Sequence, residues 1–98
     1  MDRFEIDDEN GHLVARVNTN PNGKNSAELE ELKATNPGNG QGKNLMQKFL
    51  QYCSTNKIKT IAVTAVPNDE KREDDLIRFY KNFGFKSNPY DPQLMTKR

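Results

Sequence analysis

Gly38-Asn39-Gly40-Gln41-Gly42 packs three glycines into five residues, between a strand-like run at 26–34 and the clearest amphipathic helix of the chain at 43–56. Glycine allows backbone shapes that a Cβ forbids and lets a ligand approach the main chain closely. A helix that opens at Gly42 or Lys43 directs its free N–H groups, and the positive end of its dipole, back at the loop. Loop and helix end together suit a phosphate or pyrophosphate. Two common phosphate motifs are excluded. The Walker pattern wants a glycine where Pro37 stands and a Ser or Thr where Asn44 stands. The dinucleotide pattern wants a third glycine at or near Met46, and none is there. In isolation the loop also fits a turn that binds nothing.

The flanking segments say what the loop connects. Residues 3–7 alternate apolar and polar, as a half-buried strand does. Asp8-Glu9-Asn10-Gly11 is a turn and 13–17 the return strand, so the chain opens with a β-hairpin. Residues 18–25 are rich in Asn, Pro and Gly and read as a loop. The run Ala27–Ala34 is ambiguous, because Glu, Leu, Lys and Ala all favour helix. Its position between a hairpin and the glycine loop argues for a strand. The Leu29–Leu32 spacing then requires a slip of one residue, which a β-bulge at Glu30-Glu31 supplies. Leu45, Met46, Phe49, Leu50 and Cys53 form the stripe of the helix 43–56. The β-branched run 58–66 is the strongest strand. Strand, helix and strand make a crossover with parallel strands, expected to be right-handed. Residues 67–72 read as a charged loop. Glu73-Asp74-Asp75 opens a second helix, with Leu76, Phe79, Tyr80 and Phe83 on its apolar face and Gly84 at its end. Short strands at 85–86 and 94–96 close the fold. The expected class is α+β: a central mixed sheet, a hairpin start, a strand-loop-helix-strand unit and a second, C-terminal helix.

At 98 residues the chain reads as one domain, 1–98, with a modest core. A formal net charge of +1 gives no argument for nucleic acid or membrane. No apolar run is long enough to span a bilayer, and no segment reads as a signal peptide. Cys53 is the only cysteine, which excludes an internal disulfide and suits a reducing compartment, so a cytoplasmic location is expected. It falls on the helix stripe, where a thiol is ordinarily buried and structural. With one His and one Cys, no His/Cys metal site is expected. A nucleophilic triad would have to use His12, beside a turn, and is set aside.

Gly40-Gln41-Gly42-Lys43-Asn44-Leu45-Met46 resembles the G-x-G-x-x-L-L stretch of the GNAT superfamily of acetyltransferases, whose loop holds the pyrophosphate of coenzyme A. The fuller signature, (Arg/Gln)-x-x-Gly-x-(Gly/Ala), has Pro37 at its first position here, which leaves only backbone donors. A second landmark follows in the family's order. Phe79-Tyr80 and Gly84-Phe85 resemble the Phe-Tyr-x-x-x-Gly-Phe that ends a helix in GNAT proteins. The resemblance covers about residues 26–96, and the family's bulge before the loop fits the Leu29–Leu32 slip. The chain lacks the pair of helices most members carry near the N-terminus, so it resembles a minimal form. Glu73 stands where members often carry an Asn that contacts coenzyme A. The segment 65–95 is similar to very short phage-linked acetyltransferases, among them type V-A anti-CRISPR acetyltransferases.

The resemblance implies transfer of an acetyl group from acetyl-CoA, as cosubstrate, to a primary amine; the closer similarity adds a protein lysine as acceptor. It places the pantetheine arm against the backbone of Leu32, Lys33 and Ala34. The pyrophosphate falls to the main-chain donors of Gly38, Asn39, Gly40, Gln41, Gly42, Lys43 and Asn44. Tyr80 is the candidate acid for the departing thiolate. The amine reacts only when neutral, so a carboxylate must take its proton. Glu28, Glu30 and Glu31 lie on the flanking strand; strand alternation with a bulge favours Glu30 or Glu31 without separating them. Their charge also attracts a cationic amine. An open cleft suits a protein or peptide acceptor, or a homodimer that completes the site. Two readings from other classes stand beside this one: a non-enzymatic module that binds coenzyme A or a protein, and a small domain that binds a nucleotide through its glycine loop.

Overall fold

The expected hairpin forms from β1 (Asp2–Asp8) and β2 (Gly11–Asn18), which pair antiparallel from Asp2↔Val17 to Asp8↔Gly11. In a computed structural model of the chain, the described residues are 2–20, 22–36, 38–66 and 72–98. Most of the expected charged loop at 67–72, and Pro37, lie outside them. Glu9 and Asn10 form the two-residue turn, and the Asn10 N–H donates to the Asp8 carboxylate at 2.8 Å. Gly11 therefore starts β2 rather than ending the turn. Its φ is +137°, and a Cβ there would lie 2.1 Å from the Lys33 carbonyl oxygen. We expect Gly11→Ala to cost at least about 2 kcal/mol, from backbone strain plus a forced shift of the neighbouring strand. For a domain of this size that is roughly 8 °C or more in melting midpoint, which a thermal melt by circular dichroism would read.

The ambiguous segment is a strand, β3 (Asn25–Ala34), antiparallel to β2. Helix-favouring residues adopt β because Ala27, Leu29 and Leu32 find apolar partners across the sheet in Val17, Ala15 and Leu13. The partner of Val14 is Glu31 and that of Ala15 is Leu29, so Glu30 is the extra residue of a bulge. The slip restores Leu32 to the face that Leu29 occupies.

Helix α1 (Gln41–Thr55) begins two residues before the expected 43–56. The reason is Gly40, whose φ of +76° lets it serve as the N-cap. Leu45, Met46, Phe49 and Cys53 are buried, as the stripe requires. Burial pushes the Cys53 thiol up to about 11, which makes it a poor nucleophile at neutral pH. Strand β4 (Ile58–Thr64) runs parallel to β3 and ends two residues short of the expected 58–66. There the Ala65 N–H turns to the Gln93 carbonyl at 2.8 Å. Helix α2 (Glu73–Lys81) carries Glu73, Asp74 and Asp75 in its first turn, where the dipole favours acids. The closing strands are β5 (Lys86–Ser87) and β6 (Leu94–Lys97).

The six strands form one mixed sheet in the order β1-β2-β3-β4-β6-β5. The core lies on one face, where Leu13, Ala15, Leu29, Val63 and Met95 meet Phe49 of α1 and Leu76 and Tyr80 of α2. Both helices sit on that face: a Cβ built on Gly42 of α1 would lie 3.7 Å from the Phe79 ring of α2. The other face is a mosaic of charge, with Arg16 bound to Glu30 at 3.2 Å and His12 beside Glu5 and Glu31.

Candidate functional site

β3 and β4 separate within the sheet. Their ladder ends at Leu29↔Val63, while β3 continues five residues further to Ala34. The bulge at Glu30 bends β3 away at that point, so the edge of residues 30–34 that would face β4 has no strand partner among the described residues. Alternate residues of such an edge point N–H and C=O outward, ready to pair with an extended ligand. Leu32, Lys33 and Ala34 lie on this edge.

A cavity of about 220 Å³ opens in the fork. Leu29, Glu30, Glu31 and Leu32 of β3 form one wall, Val63, Thr64 and Val66 the other, and Leu76 and Tyr80 of α2 the base. The structure thus brings Tyr80 to one cavity with the adjacent Glu30 and Glu31, although Tyr80 lies far from them in the chain. Val63, Thr64, Val66 and Leu76 were not singled out from the sequence; they read there as plain strand and helix residues. Tyr80 is 5% exposed, packed edge-on against Phe79 and Phe85 at ring distances of 5.3 and 5.7 Å. Desolvation pushes its hydroxyl up to about 12, so it keeps its proton throughout the neutral range. The two carboxylates differ in company. Arg16 donates to Glu30 at 3.2 Å, whereas the Glu31 carboxylate lies 3.9 Å from His12 Nε2.

The glycine loop lies at the other end of the free edge, about 16 Å along β3 from Leu29 at ~3.3 Å per residue. Gln41, Gly42 and Lys43 open α1, so their N–H groups have no carbonyl within the helix to bond. Gly38 and Gly40 have positive φ, and nothing lies within 4 Å of where their Cβ atoms would be. Helix-end N–H groups beside open space are what an anion site requires. Asn44 departs from expectation. Because α1 starts early, its N–H is spent on the Gly40 carbonyl at 3.0 Å, and its side-chain amide donates to Asn10 Oδ1 at 3.1 Å. The Gln41 side chain is a strut: its Oε1 accepts from the Asn36 N–H at 2.6 Å, and its Nε2 donates to the Glu9 carbonyl at 3.1 Å. The β1–β2 turn is therefore clamped to the glycine loop, and the Thr35 N–H adds a bond to the Asn10 carbonyl at 3.0 Å. Among the described residues no group of three or more His, Cys, Asp or Glu is placed to hold a metal. No helix among them is long and apolar enough to cross a membrane.

No protein-family model matches the chain, and no curated protein sequence matches it. Solved structures do. The fold superposes on that of the anti-CRISPR protein AcrVA5 with a TM-score of 0.83 over 100% of both chains, at 20% identity. It also matches Arabidopsis thaliana Naa50, solved in complex with the bisubstrate analogue CoA-Ac-MVNAL, with a TM-score of 0.71 at 26% identity. That match covers 89% of this chain and 64% of the Naa50 chain. The fold is GNAT-like, α+β with a six-stranded mixed sheet and two helices. These neighbours support an acetyltransferase kind of function at the level of the fold.

Proposed function

We propose that the protein transfers the acetyl group of acetyl-CoA to a primary amine, with a protein lysine as the acceptor class. One observation carries the reading: a strand edge freed by a bulge runs from a cavity holding Tyr80 and two carboxylates to a glycine-lined helix N-terminus. Coenzyme A has the matching order of parts, a thioester, an extended amide-bearing arm and a pyrophosphate. The free edge of residues 32–34 pairs with the amides of the arm as an added strand would. The N–H groups of Gln41, Gly42 and Lys43 take the pyrophosphate, and the absence of a Cβ at Gly40 and Gly42 gives it room.

At the fork, Glu31 takes a proton from the acceptor ammonium, and the freed nitrogen attacks the thioester carbonyl. The C–N bond forms, the C–S bond breaks, and Tyr80 gives its proton to the departing sulfur and regains one from the nitrogen, which sheds its second proton as the amide forms. Glu31 is preferred to Glu30 because the Glu30 carboxylate is already engaged by Arg16. The acidic wall draws a cationic amine to the cavity.

Turnover of acetyl-CoA with a panel of lysine peptides, N-terminal peptides and small amines tests the reading. Release of free thiol with at least one amine is the expected result; none with any acceptor overturns it. Acetyl-CoA at about 100 times its dissociation constant adds about 2.7 kcal/mol of stability. The melting midpoint should therefore rise by several degrees, and no shift at millimolar ligand would remove coenzyme A altogether. A protein that shifts but turns over no amine fits the second reading, a coenzyme A-binding module, which the departures at Pro37 and Glu73 favour.

A further inference from the structure

His12 is the only histidine in the chain, and its sequence neighbourhood assigns it no task. Strand pairing does. Val14 stands opposite Glu5 on β1 and opposite Glu31 on β3. His12 is two residues from Val14, on the same face of the sheet, and so lies diagonal to both carboxylates. The side chains close the gap. Nε2 of His12 is 3.6 Å from Glu5 Oε1 and 3.9 Å from Glu31 Oε2. One ring nitrogen thus stands between two carboxylates, and one of these, Glu31, also lines the cavity. The separations lie just beyond direct hydrogen-bond reach, a distance that one water or a small rotamer change spans. Glu5 continues the line outward: its side chain is 45% exposed, with Arg3 Nε at 3.6 Å. The other charged groups about His12 are Asp7 and Lys33, its partners on the two neighbouring strands, and Arg16 on its own strand, bound to Glu30.

We propose that Glu31, His12 and Glu5 form a proton relay, which carries the proton released by acetyl transfer from the cavity to solvent across the helix-free face of the sheet. The proposal rests on the acetyltransferase reading and supplies a step it leaves open. An ammonium acceptor loses two protons on becoming an amide. One ends on the coenzyme A sulfur, through Tyr80. The other goes first to the Glu31 carboxylate, then to neutral His12, and leaves by Glu5 and bulk water. Glu31 returns to its charged form and His12 to its neutral form, so protons and charge balance over each cycle. His12 touches no substrate and acts through Glu31. Imidazole suits the middle position because a ring nitrogen can both accept and donate a proton.

The single histidine makes the test clean, because its imidazole gives one set of NMR signals. In the whole protein, kcat/KM for acetyl-CoA and an amine should show an acid limb whose midpoint coincides with the NMR titration midpoint of that imidazole. His12→Gln should remove this limb and lower kcat about tenfold, while the melting midpoint holds. Added imidazole should restore several-fold activity to His12→Ala, which a purely structural role would not predict. Glu5→Gln should move the kinetic and NMR midpoints together. An unchanged kcat and acid limb in folded His12→Gln overturns the relay and leaves acetyl transfer standing. If His12→Gln fails to fold, Glu5→Gln decides: midpoints that move apart, or only one that moves, overturn the relay. Wild-type protein that turns over no amine at any pH sinks both ideas, and does so without any variant.

Discussion

Tyr80→Phe should lower kcat by at least about tenfold while leaving acetyl-CoA affinity and the melting midpoint nearly unchanged. General acids contribute roughly 10²–10⁴-fold, and water entering the vacated space recovers part of that. The ring supplies the packing: Tyr80 is 5% exposed and keeps its edge contacts with Phe79 and Phe85 when the hydroxyl is removed. Burial also fixes the pH behaviour. A hydroxyl pushed up to about 12 stays protonated through the alkaline range, so no loss of activity from its ionisation should appear below about pH 11. The same shift contributes to stability below the ordinary tyrosine value near 10. That contribution fades as pH rises from about 10 to 12, where the unfolded chain has lost a proton that the folded one retains. A variant with full kcat but a lowered midpoint would make Tyr80 a packing residue, and the thiolate would take its proton from solvent.

How much of this was legible beforehand depends on the range of the interaction. The bulge was readable because it is local: Leu29 and Leu32 cannot share a strand face without an extra residue, and Glu30 is that residue. The glycine loop, the helix stripe and the order of elements were local too. Where α1 begins was not, since Gly40 adopts a left-handed conformation as N-cap, and a sequence of three glycines does not say which one does so. That shift of two residues is what removes the Asn44 N–H from the candidate anion site. His12 was out of reach for a different reason. Its neighbours Glu5 and Glu31 are set by the registers of two separate strand pairs, and a slip of one residue in either would place them on the opposite face. Alternation of charged residues on 3–7 signals a polar sheet face but does not say which side chains meet. The strut made by Gln41 likewise joins Glu9 and Asn36 across the loop and leaves no trace in the local pattern.

Gly42→Ala and Gly40→Val separate a phosphate site from a plain turn, because the structure assigns the two positions different tolerances. A Cβ at Gly42 would meet only the Phe79 ring, at 3.7 and 3.8 Å, which is ordinary contact. Alanine is also the better helix former, so Gly42→Ala should fold and melt at or slightly above the wild-type midpoint. Its methyl nevertheless stands at the first turn of α1, where the N–H groups of Gln41, Gly42 and Lys43 converge. If coenzyme A places its pyrophosphate there, the methyl pushes it outward, and affinity should fall at least about tenfold, or about 1.4 kcal/mol. Gly40 differs. Space around it is open, but its φ of +76° is costly for any residue with a Cβ and most of all for a β-branched one. Gly40→Val should therefore lose affinity by tenfold or more and also lower the melting midpoint, as the N-cap is strained. Calorimetric titration of both variants with coenzyme A, beside thermal melts, reads the two effects apart. Full affinity in Gly42→Ala, with its fold intact, would mean that the loop only turns the chain, and the pyrophosphate would have to be sought elsewhere.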